Sequence, residues 1–157
     1  MKKNKWAKFA IFAVVAVVAL GAISAISRNN DEKVLNGLAY ETCRLDDTTG
    51  EKDKEDKSGI STKSFYEIEQ LQSIKIKDEN VEGIEYYVNL YDADKTFIGV
   101  ERQTGDFMAE DIAAAQARGA AYFKLEIVDT KDEEISFLEQ FALSNQVEVK
   151  LDASEKE

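Results

Sequence analysis

Histidine and proline are absent from the 157 residues, and cysteine occurs once, at Cys43. Without His the chain lacks the usual general base near neutral pH and the commonest neutral metal ligand. One Cys excludes internal disulfides and every thiolate zinc cluster. The eight glycines are isolated from one another, so no Gly-rich phosphate cradle exists, and the Gly-x-Ser-x-Gly turn of serine hydrolases is missing. Among 31 Asp and Glu no pair is singled out by a motif or by apolar flanks that would split two carboxyl pKa values, so glycoside hydrolysis has no marked residues. The expectation is a non-catalytic protein.

Positive charge is scarce and unevenly placed. Lys2, Lys3, Lys5, Lys8 and Arg28 lie in a 28-residue N-terminal stretch free of Asp and Glu, and the rest carries −16. Such a body repels phosphate backbones, which argues against nucleic acid as a partner. With 44% hydrophobic and 10% aromatic residues, the chain suits one folded domain and not a disordered tail.

Phe9 to Ile26 is an unbroken apolar and small-residue run. At about 1.5 Å per helical residue it would extend roughly 27 Å, close to the thickness of the bilayer hydrocarbon. Basic residues precede it and Asp31 and Glu32 follow, which predicts a cytoplasmic N-terminus and a body outside the membrane. Ala22-Ile23-Ser24 before Ala25 also fits signal cleavage, giving a secreted body as the alternative. The expected organisation is a basic segment over 1–8, an anchor or signal over 9–26, a tether over 27–36, a folded domain over 37–152 and a tail over 153–157.

Within the body, strands are expected over Leu38 to Leu45, Ser61 to Ile68, Leu71 to Lys77, Ile84 to Tyr91, Thr96 to Arg102, Ala121 to Val128 and Gln146 to Leu151. Glu51 to Lys57 reads as a solvated loop. Ile84, Tyr86, Val88 and Leu90 share one strand face, and Phe123, Leu125 and Ile127 another, as the core set. Met108, Ile112 and Ala115 at helical spacing, with Asp106 as cap and Gly119 just past the end, predict one short helix. A capping-box pattern over Thr130 to Glu133 predicts a second before Ile135, Leu138 and Ala142, with extended structure as the alternative. The fold class expected is all-β: a β-sandwich with one or two short helices.

Leu90-Tyr91-Asp92-Ala93-Asp94-Lys95-Thr96-Phe97-Ile98-Gly99, followed by Ala120-Ala121-Tyr122-Phe123-Lys124-Leu125, resembles the jelly-roll, carbohydrate-binding-module-like domains of bacterial surface and phage tail proteins. Leu45-Asp46-Asp47-Thr48-Thr49-Gly50, a spacer and Ser61-Thr62-Lys63-Ser64-Phe65 resemble the opening of such domains. The resemblance covers roughly residues 38 to 128. It implies a jelly roll in which the Tyr-Asp-x-x-Lys-x-Phe hairpin joins two central strands, and it raises the prospect of a sugar site and a structural calcium.

Two sets of residues are candidate sites. Tyr87, Asn89 and Tyr91, with Glu85 beside them, alternate on the non-core face of the clearest strand; rings can stack on a pyranose while amide and carboxylate bond its hydroxyls. The same residues, joined by Tyr66 and Tyr122, could instead pack across strands. Asp92 and Asp94, with Asp46, Asp47 and Glu51 nearby, offer hard oxygens to Ca²⁺, or simply close turns. No other cofactor is expected. Cys43 reads as a small core residue, with a redox or intermolecular role as the alternative. The functional classes left are an anchored protein-interaction or structural component of an envelope or phage-related assembly, and a surface glycan-binding module.

Overall fold

The computed structural model describes residues 32–36, 38–78, 81–131 and 133–152. The anchor expected over Phe9 to Ile26 lies outside them. Among the described residues no helix is long and apolar enough to cross a membrane.

The chain forms a mostly-β sandwich of antiparallel sheets. One sheet has three strands, with β11 (Val147–Asp152) between β1 (Glu32–Asn36) and β7 (Leu71–Ile76). The larger runs β2 (Tyr40–Thr42), β5 (Gly59–Thr62), β10 (Tyr122–Asp129), β8 (Ile84–Tyr91) and β9 (Phe97–Gln103), with β6 (Tyr66–Glu67) paired to the start of β10. A two-stranded ribbon, β3 (Arg44–Leu45) and β4 (Lys52–Asp53), pairs as a strand with neither.

Alternation explains the core. Tyr86, Val88 and Leu90 pair with Ile127, Leu125 and Phe123 in register, so all six side chains leave the same face of the larger sheet. They meet Leu71, Ile74, Ile76, Val147, Val149 and Leu151 from the smaller sheet in one buried cluster. The void where the sheets meet, lined by Ile74, Ile76, Tyr86, Val88, Leu125 and Val147, is about 10 Å³, the size of a single water probe. A small-molecule ligand has no room there.

Among the described residues two α-helices close the edges. α1 (Ala109–Ala117) buries Ile112 and Ala115, and Gly119 just beyond it has φ +93°, a value at which glycine avoids a Cβ clash. Asp106 does not cap this helix. Its carboxylate accepts from the Ile76 N–H at 3.1 Å, while Asp111 accepts from the Met108 N–H at 2.8 Å and ties down the first turn. α2 (Phe137–Ser144) carries the chain from the larger sheet to the smaller and is held on β2, where the Gln140 amide donates to the Tyr40 carbonyl at 3.1 Å.

Other expectations need correction. Ser61 to Ile68 is not one strand: β5 ends at Thr62, β6 takes only Tyr66–Glu67, and Ile68–Gln70 is a turn of 3-10 helix. Glu32–Asn36 is a strand paired with β11, not tether, so the sandwich takes in residues expected outside it. Leu38 to Leu45 is not one strand: Cys43 interrupts it, its N–H donating to Gly59 O at 3.1 Å as β2 gives way to the ribbon. The second helix starts six residues later than the pattern at Thr130 suggests. Thr130 is taken by Gly83, whose carbonyl accepts from both its N–H and its hydroxyl, and Ser136 with Glu139 forms the capping box instead.

Candidate functional site

β10 alternates polar and apolar side chains, yet from Phe123 to Asp129 every residue is buried. The face carrying Tyr122, Lys124 and Glu126 is therefore covered too. Its cover is the segment from Cys43 through the ribbon. Arg44 Nε donates to Glu126 Oε1 at 2.9 Å, and the Leu45 N–H donates to the same oxygen at 2.8 Å. Gly59 permits this, because a Cβ there would lie 2.4 Å from Arg44 Cδ. At the ribbon's turn, Asp46 accepts from the Thr48 and Thr49 N–H groups at 2.9 and 2.8 Å, which holds its carboxyl below the usual range. Gly50, at φ +65°, sits so close to the Phe97 ring that a Cβ would come within 2.5 Å. The Tyr91 hydroxyl then donates to Gly50 O at 3.0 Å.

This cover decides the fate of the four candidate sugar-binding residues. Glu85, Tyr87, Asn89 and Tyr91 do share a face, as alternation requires. They do not form an open platform. Asn89 is fully buried and Tyr91 nearly so, and the Tyr91 ring packs edge-on against Phe65 and Phe97 at 4.9 and 5.6 Å. Only Tyr87 and Glu85 are partly exposed. Their contact is internal: the Tyr87 hydroxyl donates to Glu85, which also pairs with Arg102. Desolvation, with the Glu85 hydrogen bond second, pushes the Tyr87 phenol up to about 12. Tyr66 packs on Phe123, and Tyr122 lies 6.2 Å from Phe65, so both belong to cross-strand packing.

Asp92 and Asp94 sit in the β8–β9 hairpin. Asp92 accepts from the Asp94 and Thr96 N–H groups, each at 2.9 Å, the backbone-bonding use of Asp in a turn. Among the described residues no three His, Cys, Asp or Glu side chains gather where they could hold a metal. Cys43 is fully buried, 3.0 Å from the Ser61 hydroxyl. Burial raises its thiol pKa despite that hydrogen bond, which suppresses thiolate chemistry.

The accessible feature is elsewhere. On α2, Phe137 and Leu138 are 79% and 74% exposed and Phe141 is 52% exposed. Phe137 and Phe141 are one turn apart with Leu138 beside them, so they form a continuous apolar stripe. The opposite side of the helix buries Ala142 and Leu143. Ile135, expected inside this helix, precedes it and is buried, while Leu138, expected to face the core, faces outward. A sequence signal existed: Ile135, Phe137, Leu138, Phe141, Ala142 and Leu143 are more apolar residues than one face of a two-turn helix can bury. Around the stripe the surface is mostly acidic, with Glu133 and Glu134 just before the helix and Glu55 and Asp56 lining a shallow concavity beside Glu134, where Lys57 pairs with Glu134 at 3.4 Å.

Neither the protein-family models, the curated proteins nor the solved structures yield a match to this chain.

Proposed function

We propose that the protein is a membrane-anchored, extracytoplasmic, non-catalytic binding domain, a component of an envelope or phage-related assembly that grips a protein partner with the apolar stripe of α2. The observation that carries this reading is the exposure of Phe137, Leu138 and Phe141 together on a surface otherwise rich in acid. Exposed aromatic and aliphatic clusters rimmed by charge are the composition of interaction sites. The −16 carried beyond residue 28 indicates the partner's chemistry: an apolar groove rimmed by Lys and Arg. A second copy of the chain would bring like charges together. Anchoring and orientation rest on the apolar run with its basic N-terminal flank.

The jelly-roll resemblance suggests a glycan-binding module as the other class. Of its proposed platform, only the Tyr87, Glu85 and Arg102 edge reaches solvent, and their mutual contacts already occupy these groups. Glycan-array screening of a fragment from residue 30 onward, with and without calcium, separates the classes. A blank array is expected. A reproducible hit that disappears in Tyr87→Ala would overturn the protein-interaction reading in favour of sugar binding.

A further inference from the structure

The covered face holds a group of side chains that neither sheet packing nor partner binding explains. Lys124 on β10 and Asn89 on β8 are register partners, so both leave the same face with Cβ atoms roughly 5 Å apart. Lys124 is 2% exposed and Asn89 is 0% exposed. Neither polar atom of the Asn89 amide makes a hydrogen bond of good geometry, a costly condition for a buried carboxamide, although the amide lies near enough to Glu126 to help hold that carboxyl's pKa down. Glu126, two residues along β10 on the same face, is 1% exposed. Both of its short contacts, from Arg44 and from the Leu45 N–H, fall on one oxygen, Oε1.

We propose that Lys124 and Asn89 are the reactants of an intramolecular isopeptide bond, with Glu126 carrying the proton between them. The Lys124 ammonium rests 4.7 Å from the centre of the Phe65 ring, which itself packs edge-on against Tyr91 of β8. Turning the lysine stem toward β8 carries the amine across a gap that its length exceeds. Desolvation, with the Lys52 ammonium adding to it, lowers the Lys124 pKa to about 8, so a neutral amine is accessible near physiological pH. Burial raises the Glu126 pKa, which suits a carboxyl group that must both take up and give back a proton.

The step balances without any co-reactant. Neutral Lys124 Nζ attacks Asn89 Cγ and forms the Nζ–Cγ bond. Glu126 accepts a proton from Nζ and returns it to Nδ2, the Cγ–Nδ2 bond breaks, and ammonia leaves. Nothing is oxidised or reduced. No substrate has to enter, so the absence of a ligand-sized cavity between the sheets is no obstacle. The product ties β8 covalently to β10, and in a chain with one Cys it supplies the cross-link that a disulfide cannot.

Intact-mass spectrometry of the denatured full-length chain tests this directly. The expected mass is lower than the sequence mass by one ammonia. After proteolysis at Lys95, Arg102 and Arg118, which lie between the two residues, the peptides carrying Asn89 and Lys124 should be recovered as one branched species. Lys124→Arg and Asn89→Ala should each restore the full mass, and Glu126→Gln should do so while keeping the β-type circular dichroism spectrum. Ammonia loss that persists in Lys124→Arg would place it elsewhere, for instance in a succinimide at Asn36-Gly37, and would overturn the proposal. A wild-type chain at full mass, or one lighter by a water, would overturn it as well. None of these outcomes bears on the α2 stripe.

Discussion

Arg44→Ala is the sharpest probe of how the larger sheet's second face is sealed. Arg44 lies within ion-pair distance of Glu126, at 2.9 Å, and the two side chains are 21% and 1% exposed. Breaking a buried pair from one side typically costs about 3–5 kcal/mol, because the remaining charge stays desolvated. Glu126 can escape by taking up a proton, which sets a ceiling. Holding a carboxyl neutral costs about 1.4 kcal/mol for each pH unit above its unfolded pKa, roughly 3–4 kcal/mol at neutral pH. Part of that burden is already present in the wild type, whose Glu126 pKa is raised by burial against the pull of the Leu45 N–H and Arg44. A loss of about 2–3 kcal/mol near neutral pH follows for the variant. The sign of its pH dependence is fixed by the same shift. A carboxyl with a raised folded pKa gives stability that is complete below its unfolded pKa and is lost as pH rises through the folded value. Removing Arg44 raises that value further, so the deficit relative to wild type should shrink as pH falls from neutral toward about 5. Glu126→Gln, compared in a Lys124→Arg background so that loss of the proposed cross-link does not enter, should cost less, about 1 kcal/mol, since its amide oxygen still accepts from Leu45 and Arg44 can hydrate. Urea denaturation of the three proteins at both pH values provides the assay. An Arg44→Ala deficit that is equal at the two pH values, or smaller than that of Glu126→Gln, would refute the reasoning.

A fragment from residue 30 onward, which keeps every described element, should fold alone and give a β-dominated circular dichroism spectrum; a helix-dominated spectrum would contradict the sandwich. Leu125→Ala, at the centre of the core, should lower stability by about 3 kcal/mol in the same denaturation assay. Gly50→Ala should be disproportionately harmful for a single methyl, because it meets both a positive φ and the Phe97 ring at 2.5 Å; a melting temperature within a degree or so of wild type would show that the turn does not clamp the face. Phe137→Ser and Leu138→Ser should leave stability almost unchanged, since both side chains are more than 70% exposed; a large loss would mean that the stripe packs against the domain.

Much of the fold was legible in the chain, and the reasons for the exceptions are physical. Ile84–Tyr91 was readable to the residue because strict alternation continues from one turn to the next. The same alternation hid the cover. Period two separates two faces but does not say that the polar one is exposed: Lys124, Glu126 and Asn89 are all buried, Glu126 under Arg44 and Leu45. Seeing that would require knowing that Cys43 breaks the first strand and sends the ribbon across the sheet. Glu32–Asn36 was unreadable as a strand because Val34 and Leu35 are its only apolar residues, and its place comes from pairing with β11. At the second helix, two capping patterns competed within ten residues. The later one prevailed because Ile135 is drawn into the core and its N–H donates to Lys57 O at 2.9 Å.

The central claim is that α2, and not the covered face of the sheet, meets the partner. Site-specific photo-cross-linking in cells making the full-length chain tests it most directly, with the reactive residue placed at position 138 in one variant and at position 87 in another. Discrete protein adducts from position 138, weakening as salt is raised above the physiological level and absent from position 87, are the predicted result. Adducts from position 87 with none from position 138 would contradict the account.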